Sequence, residues 1–163
     1  MRMTLLVGLL FAALGVTAQE DHHAAVDKRG DHVMGFSQEK TTHHFRLYAD
    51  GGAIEVTAND AKDAESRDQI RMHLSHIAGM FAAGNFQASI LIHEQTPPGV
   101  PTLQRLKAEV VYRFEDIPNG GRVKISTKNT EALLAVHEFL KFQIEDHHTG
   151  DSKAITKETV ATK

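Results

Sequence analysis

Two Gly-Gly pairs, at 51–52 and 120–121, constrain the fold of this chain more than any other feature. They are offset by 69 residues, and apolar and polar residues alternate on both sides of each pair. This alternation around a glycine turn predicts a β-hairpin. An apolar pattern of helical period follows each hairpin, so the chain reads as two copies of a β-β-α unit.

The assembly predicted from these two units is an α+β fold, in which a four-stranded antiparallel sheet carries two helices on one face. A single hairpin is only marginally stable, so each needs the helix layer to bury its apolar side. The apolar stripes of the two helices contain Ile70, Leu74, Ile77 and Phe81 in the first, and Leu133, His137, Leu140 and Ile144 in the second.

Four segments organise the chain. Residues 1–18 combine a short positive start with an apolar run that is too short to span a membrane, which is typical of a cleaved secretory signal peptide. Residues 19–40 predict a loosely packed arm, 41–150 the single α+β domain, and 151–163 a flexible tail. We therefore expect a periplasmic or secreted protein without stable membrane insertion after cleavage.

Composition excludes several function classes. The chain has 163 residues, enough for one core, and no cysteine, which removes disulfide scaffolds, thiolate metal sites and cysteine nucleophiles. With 18 basic and 21 acidic side chains, its mild acidity gives no reason to expect a nucleic-acid partner. The 11 histidines are the strongest remaining signal, and they indicate a site.

Three of these histidines are predicted to point into one layer. Period-two geometry places His43 on the face of Phe45, helical geometry places His73 at the edge of the first apolar stripe, and His137 lies within the second stripe. Neutral imidazole is the commonest protein metal ligand, so copper or zinc is the expected cofactor. The alternative for each is an ordinary buried histidine satisfied by hydrogen bonds.

The segments RGDHVMGF, TTHHF, IRMHLSHIAGMFAAGNF, LIHEQTPPGVP and AVHEFLKFQIEDHHTGD resemble a family of small exported bacterial proteins of unestablished function. The resemblance covers most of residues 29–151. It implies that six positions form the site: Met34, His43, His73, His93, His137 and His147. A thioether such as Met34 would favour Cu(I), whereas histidines with a carboxylate would suit zinc as well.

Some members of that family carry the label aspartate carbamoyltransferase, which this sequence does not support. The chain is far shorter than that enzyme's catalytic chain and lacks its carbamoyl-phosphate loop. The nearest string, Ser126-Thr127-Lys128-Asn129-Thr130, falls where a strand ends and a helix begins.

Four functions compete at this level. The first is an exported copper or zinc carrier or buffer. The second is a metal-dependent hydrolase or lyase with three histidine ligands and Glu94 or Asp146 as general base. The third is a module that binds haem noncovalently through His73 or His137. The fourth is a structural domain that forms a homodimer through the uncovered face of the sheet.

Overall fold

The computed structural model describes residues 13–157, with side chains from residue 24 onward. Its secondary structure comprises five α-helices, two short 3-10 helices (Gln38–Lys40 and Lys107–Glu109) and four strands within that range. In chain order the α-helices and strands are α1 Ala13–Met34, β1 Thr41–Tyr48, β2 Gly51–Ala58, α2 Ala64–Ala82, α3 Gln87–His93, α4 Val100–Arg105, β3 Val110–Ile117, β4 Gly120–Thr127 and α5 Thr130–Asp146.

The four strands form one antiparallel sheet in the order β1-β2-β4-β3. Both hairpins and the two helices α2 and α5 lie where the sequence predicts them, so the predicted α+β fold is confirmed. The second strands of the two hairpins, β2 and β4, pair with each other at the centre of the sheet. This pairing makes the two β-β-α units one domain.

The first glycine of each Gly-Gly pair lies where β2 and β4 approach most closely. A Cβ atom on Gly51 would overlap the carbonyl oxygen of Ile125, and one on Gly120 would overlap that of Val56. The same offset of 69 residues relates Gly51 to Gly120 and Val56 to Ile125. The two contacts are therefore equivalent in the two units, which supports an internal duplication.

The helices α2 and α5 each lie mainly over the hairpin of the other unit. The first-unit helix α2 packs on β3 and β4, while the second-unit helix α5 packs mainly on β1 and β2. The second glycine of each pair permits this close approach. A Cβ on Gly52 would overlap the Leu140 side chain of α5, and one on Gly121 would lie 3.2 Å from Leu74 of α2.

The N-termini of α2 and α5 are both capped by side chains. Asp63 accepts a hydrogen bond from the backbone N–H of Ser66, and Asn129 accepts from those of Glu131 and Ala132. Sequence spacing offers Asn59 or Asp60 as the first cap, but the helix begins later. Asp60 instead accepts from the Lys62 N–H, which makes a turn ahead of the helix.

The segment predicted as a loose arm contains the long helix α1, which packs against α3. Val26 and Phe36 are buried, so this segment is anchored by apolar contacts as well as polar ones. Most of the predicted signal peptide lies outside the described residues. Among residues 13–157, no helix is long and apolar enough to cross a membrane.

Two further segments are more ordered than the sequence indicates. Residues 86–101, which show no periodic pattern and from which an irregular segment is expected, contain the short helix α3. Its seven residues are too few to display a period. Beyond α5, the Asp151 carboxylate accepts hydrogen bonds from the Phe45 N–H and from the side chains of His44 and Arg46. The Thr156 N–H also donates to the Leu47 carbonyl, so this segment lines the outer edge of β1.

Replacing Gly120 by alanine tests the close contact between β2 and β4. Because the new Cβ would overlap a backbone oxygen that cannot move aside, we expect Gly120→Ala to lower the free energy of unfolding by about 1–3 kcal/mol. The control is Gly79→Ala in α2, where a Cβ meets nothing within 4 Å. Helix propensity predicts that this control raises stability by up to about 1 kcal/mol. Urea denaturation measures both, and equal effects would contradict the packing argument.

Candidate functional site

A small cavity of about 60 Å³ lies between the helix layer and the β1–β2 hairpin. Its walls come from the end of α1, from β1 and β2, and from α2, α3 and α5. Five of the six residues implied by the family resemblance line it, and these are Met34, His43, His73, His93 and His147. The rest of the lining is mostly apolar, with Phe45, Ile54, Leu74, Phe81 and Phe139 among its members.

The imidazole rings stack against one another and against phenylalanines. The rings of His43 and His147 have centroids 5.9 Å apart and planes within 2° of parallel. His93 meets His147 edge to face at 5.0 Å, and Phe36 meets His73 in the same manner at 5.6 Å. Histidines from β1, α3 and the end of α5 are thereby brought into one cluster.

His43 and His73 are neutral bases at physiological pH. Burial, followed by the charges that His73 and His44 would carry, lowers the pKa of His43 from 6.5 to about 4. Burial, followed by the charge of His76, lowers the pKa of His73 to about 4 as well. The buried Nε2 of His43 has no hydrogen-bond partner. A buried polar atom without a partner costs free energy, and a ligand bound at this nitrogen would offset that cost.

Met34 is brought to the cavity by α1. Gln38 donates a hydrogen bond to its sulfur at 3.7 Å. The preceding turn of α1 is fixed to α3 by Arg29, whose Nε donates to the Ile92 carbonyl at 2.6 Å and whose guanidinium pairs with Glu94 at 3.1 Å. The thioether is thus positioned by the docking of α1.

His93 makes hydrogen bonds through both ring nitrogens. Its Nδ1 lies 2.5 Å from a carboxylate oxygen of Asp146, and its Nε2 lies 3.1 Å from the amide oxygen of Gln143. The His93 side chain is 0% exposed. The contacts with Asp146 and Gln143 at its two nitrogens fix the orientation of the buried His93 ring.

The candidate general bases are used elsewhere. Asp146 holds His93, and Glu94 is 70% exposed at the surface, where it pairs with Arg29. Neither residue lines the cavity. Among the additional histidines, His76 and His148 are exposed, and His44 pairs with Asp151 on the opposite side of β1.

His137 does not line the cavity. It lies ten residues before His147 in the chain, which is about 15 Å along a helix axis. Its Nε2 lies 2.9 Å from the Tyr48 carbonyl oxygen and 3.1 Å from that of Gly51. Because both partners are acceptors, this nitrogen carries the hydrogen and donates to both. His137 therefore ties α5 to the β1–β2 turn and lies outside the cluster that the sequence predicts it to join.

A larger polar groove, of about 520 Å³, adjoins the cavity between α1 and β1. It shares His43 and His147 with the cavity. The rest of its lining includes Asp27, Lys28, Asp31, Glu39, Thr42 and Thr149. The sequence carries no signal for this groove, because its walls come from segments whose relative placement only the tertiary structure determines.

Within residues 13–157, no group of three or more histidine, cysteine, aspartate or glutamate side chains has an arrangement that could hold a metal ion. Thioether sulfur is a further kind of ligand, and Met34 supplies it at the cavity. The fold and this cavity together define a two-layer α+β protein with an internal pocket of imidazoles and one thioether. Comparisons with protein-family models, curated proteins and solved structures found no match.

Acid titration tests the burial of His43 and His73. Their pKa values in the folded protein are about 4, below the ordinary value of 6.5, so the unfolded chain binds more protons between these limits. We expect the free energy of unfolding to have its full value above about pH 6.5 and to decrease as the pH is lowered towards 4. Denaturant titrations across this pH range measure how steeply the free energy of unfolding changes with pH.

His43→Leu should make the free energy of unfolding less dependent on pH between 4 and 6.5, because only one of the two imidazoles then remains to titrate. His32→Gln, at an exposed position of α1, is the control and should leave the pH dependence as it is in the parent protein. An unchanged pH dependence in His43→Leu would contradict a buried, neutral His43.

His137→Leu tests the link between α5 and the hairpin turn. The substitution leaves two carbonyl oxygens without their donor, so we expect a loss of about 1–3 kcal/mol in the free energy of unfolding. His76→Leu removes an exposed histidine and should change stability by less than about 0.5 kcal/mol. Thermal and urea unfolding of both variants provide the measurement, and equal losses would show that His137 is not structural.

Proposed function

We propose that this protein binds one Cu(I) ion in the cavity through Met34, His43 and His73, with the ring of His147 packed against that of His43. One observation carries the proposal: a thioether and neutral imidazoles from separate elements line a single small cavity. The chain then acts as a carrier or buffer of copper. All of these ligands are among the six residues that the family resemblance implies, whereas His93, His137 and His147 of that set are not ligands in the proposal.

The chemistry of the donor set supports copper in its monovalent state. Thioether sulfur selects Cu(I), and imidazole binds both oxidation states of copper. A ligand histidine must be neutral, so protons compete with a metal for it. The lowered pKa values of His43 and His73 reduce this competition at neutral pH.

The size of the cavity supports an ion over an organic cofactor. A volume of 60 Å³ is about that of two water molecules in the liquid. Pockets for organic ligands are about 300–1,000 Å³, so the cavity suits a metal ion far better than haem.

The placement of the carboxylates supports binding over catalysis. A hydrolytic metal centre needs a base next to the metal-bound water. Asp146 is engaged with His93, and Glu94 is at the surface. In this proposal His93 and Asp146 have a positioning role, because His93 packs against the ring of His147. The predicted signal peptide would place this copper binding in the periplasm or outside the cell.

The first experiment is a metal analysis of the mature protein, purified without a nickel column or chelator. It is followed by anaerobic titration with Cu(I) in competition with a chromophoric Cu(I) chelator, and by titration with Zn²⁺. We expect one equivalent of Cu(I), and an unfolding temperature that rises with bound metal because the ion binds only the folded state. No binding of Cu(I) would overturn the proposal, and tight binding of Zn²⁺ alone would replace copper by zinc.

Substitution of the thioether provides the most specific test of the ligand set. Met34→Leu retains the size and apolar character of the side chain but removes the sulfur. Loss of an outer partner of a metal ligand already lowers affinity about 10–100-fold, so we expect at least a tenfold loss of Cu(I) affinity here. Met72→Leu is the control, because Met72 is 72% exposed on α2.

His73→Leu should lower Cu(I) affinity by a similar factor, whereas His137→Leu should retain the affinity of the parent protein. Circular dichroism and urea unfolding of each variant separate a lost ligand from a lost fold. Parent-like Cu(I) affinity in a folded Met34→Leu protein would exclude Met34 as a ligand.

A further inference from the structure

The polar groove between α1 and β1 leads from the surface to the cavity. His43 and His147 line both spaces, so the two imidazoles stand at the boundary between them. His43 also has the buried Nε2 without a hydrogen-bond partner. Groove and cavity are thus neighbours that meet at these two rings, with a donor atom at the boundary.

The charge of the groove favours cations. Its lining has three carboxylates, on Asp27, Asp31 and Glu39, against the single ammonium group of Lys28. A concave site lined by one sign of charge concentrates ions of the opposite sign and raises their association rate.

On its opposite side, α1 is held against α3. There Arg29 bridges α1 to α3 through the Ile92 carbonyl and the Glu94 carboxylate. An ion that reached the cavity by separating α1 from α3 would have to break both interactions. Passage through the groove breaks neither of them.

We propose that the groove is the route by which copper reaches the cavity, as a small cationic species that the three carboxylates attract and that His43 receives. This inference rests on the proposed function, because it assumes that the cavity is the destination. It assigns the groove carboxylates a role in the rate of loading and none in the final coordination of the ion.

The test is a stopped-flow measurement of loading with Ag⁺, a redox-inert monovalent ion with soft-ligand preferences, and with Cu(I) under anaerobic conditions. The groove variant is Asp27→Asn/Asp31→Asn/Glu39→Gln. The Asp31→Asn change retains the side-chain oxygen that accepts a hydrogen bond from the Gln38 N–H, so the local turn is conserved. The matched control is Glu65→Gln/Glu109→Gln/Glu138→Gln, which changes the net charge equally at exposed positions elsewhere.

We expect the groove variant to load about tenfold more slowly at low ionic strength. Its equilibrium affinity should stay within about twofold of the parent value, and added salt should reduce the difference in rate. The control variant should load at close to the parent rate. Equal slowing of both variants would overturn the route, because net charge alone would then explain it.

Two other results are equally decisive. A large loss of equilibrium affinity in the groove variant would make the carboxylates ligands and overturn their assigned role. Parent-like rates in the groove variant would overturn the route while the proposed function stands, provided that the parent protein binds the ion. Failure of the parent protein to bind either ion is a failure of the proposed function itself, and it removes the route as well.

A charged plug gives an independent measurement. The chain has no cysteine, so Glu39→Cys offers one thiol for complete labelling with a cationic or an anionic methanethiosulfonate of similar size. We expect the cationic label to slow loading several-fold relative to the anionic label. The same pair of labels on Glu138→Cys should give equal rates, and equal rates at position 39 would contradict a cation route through the groove.

Discussion

The contact between β2 and β4 is the constraint on which the rest of the structure depends. Gly51 and Gly120 allow the two strands to approach at distances that no other residue permits, because any Cβ there would overlap a carbonyl oxygen. This pairing joins the hairpins into one sheet. In the joined sheet, α2 and α5 each lie mainly over the hairpin of the other unit.

The histidine cluster follows from this arrangement. Since α5 crosses the first hairpin, the end of α5 places His147 beside His43 of β1. The helix α2 approaches the same space from the other side and contributes His73. Burying imidazoles lowers their pKa values and costs free energy unless a ligand or hydrogen bond compensates. A metal ion bound at this position would provide that compensation, which is the physical basis of the proposed copper site.

Much of the fold and part of the site could be predicted from local patterns. Period-two alternation identified the four strands and the inward face of His43, and helical periodicity identified α2 and α5. The partners of each histidine are distant in sequence and leave no such pattern. Asp146 is 53 residues from His93, and the Tyr48 carbonyl is 89 residues from His137. His137 and His147 extend the apolar stripe of the same helix, and only the position of α5 on the sheet separates their roles.

Local patterns were enough to specify the two β-β-α units and the inward orientation of the first histidines. The Gly-Gly pairs mark the hairpins, but they begin β2 and β4 and do not form the turns themselves. These properties depend on interactions between near neighbours in the chain. Three other features were determined by the tertiary structure alone. These are the placement of α2 and α5 over each other's hairpins, the packing of α1 that brings Met34 to the cavity, and the groove that is lined by His43 and His147. Each of these depends on how distant segments pack together, and packing distances are not encoded in any local period of the sequence.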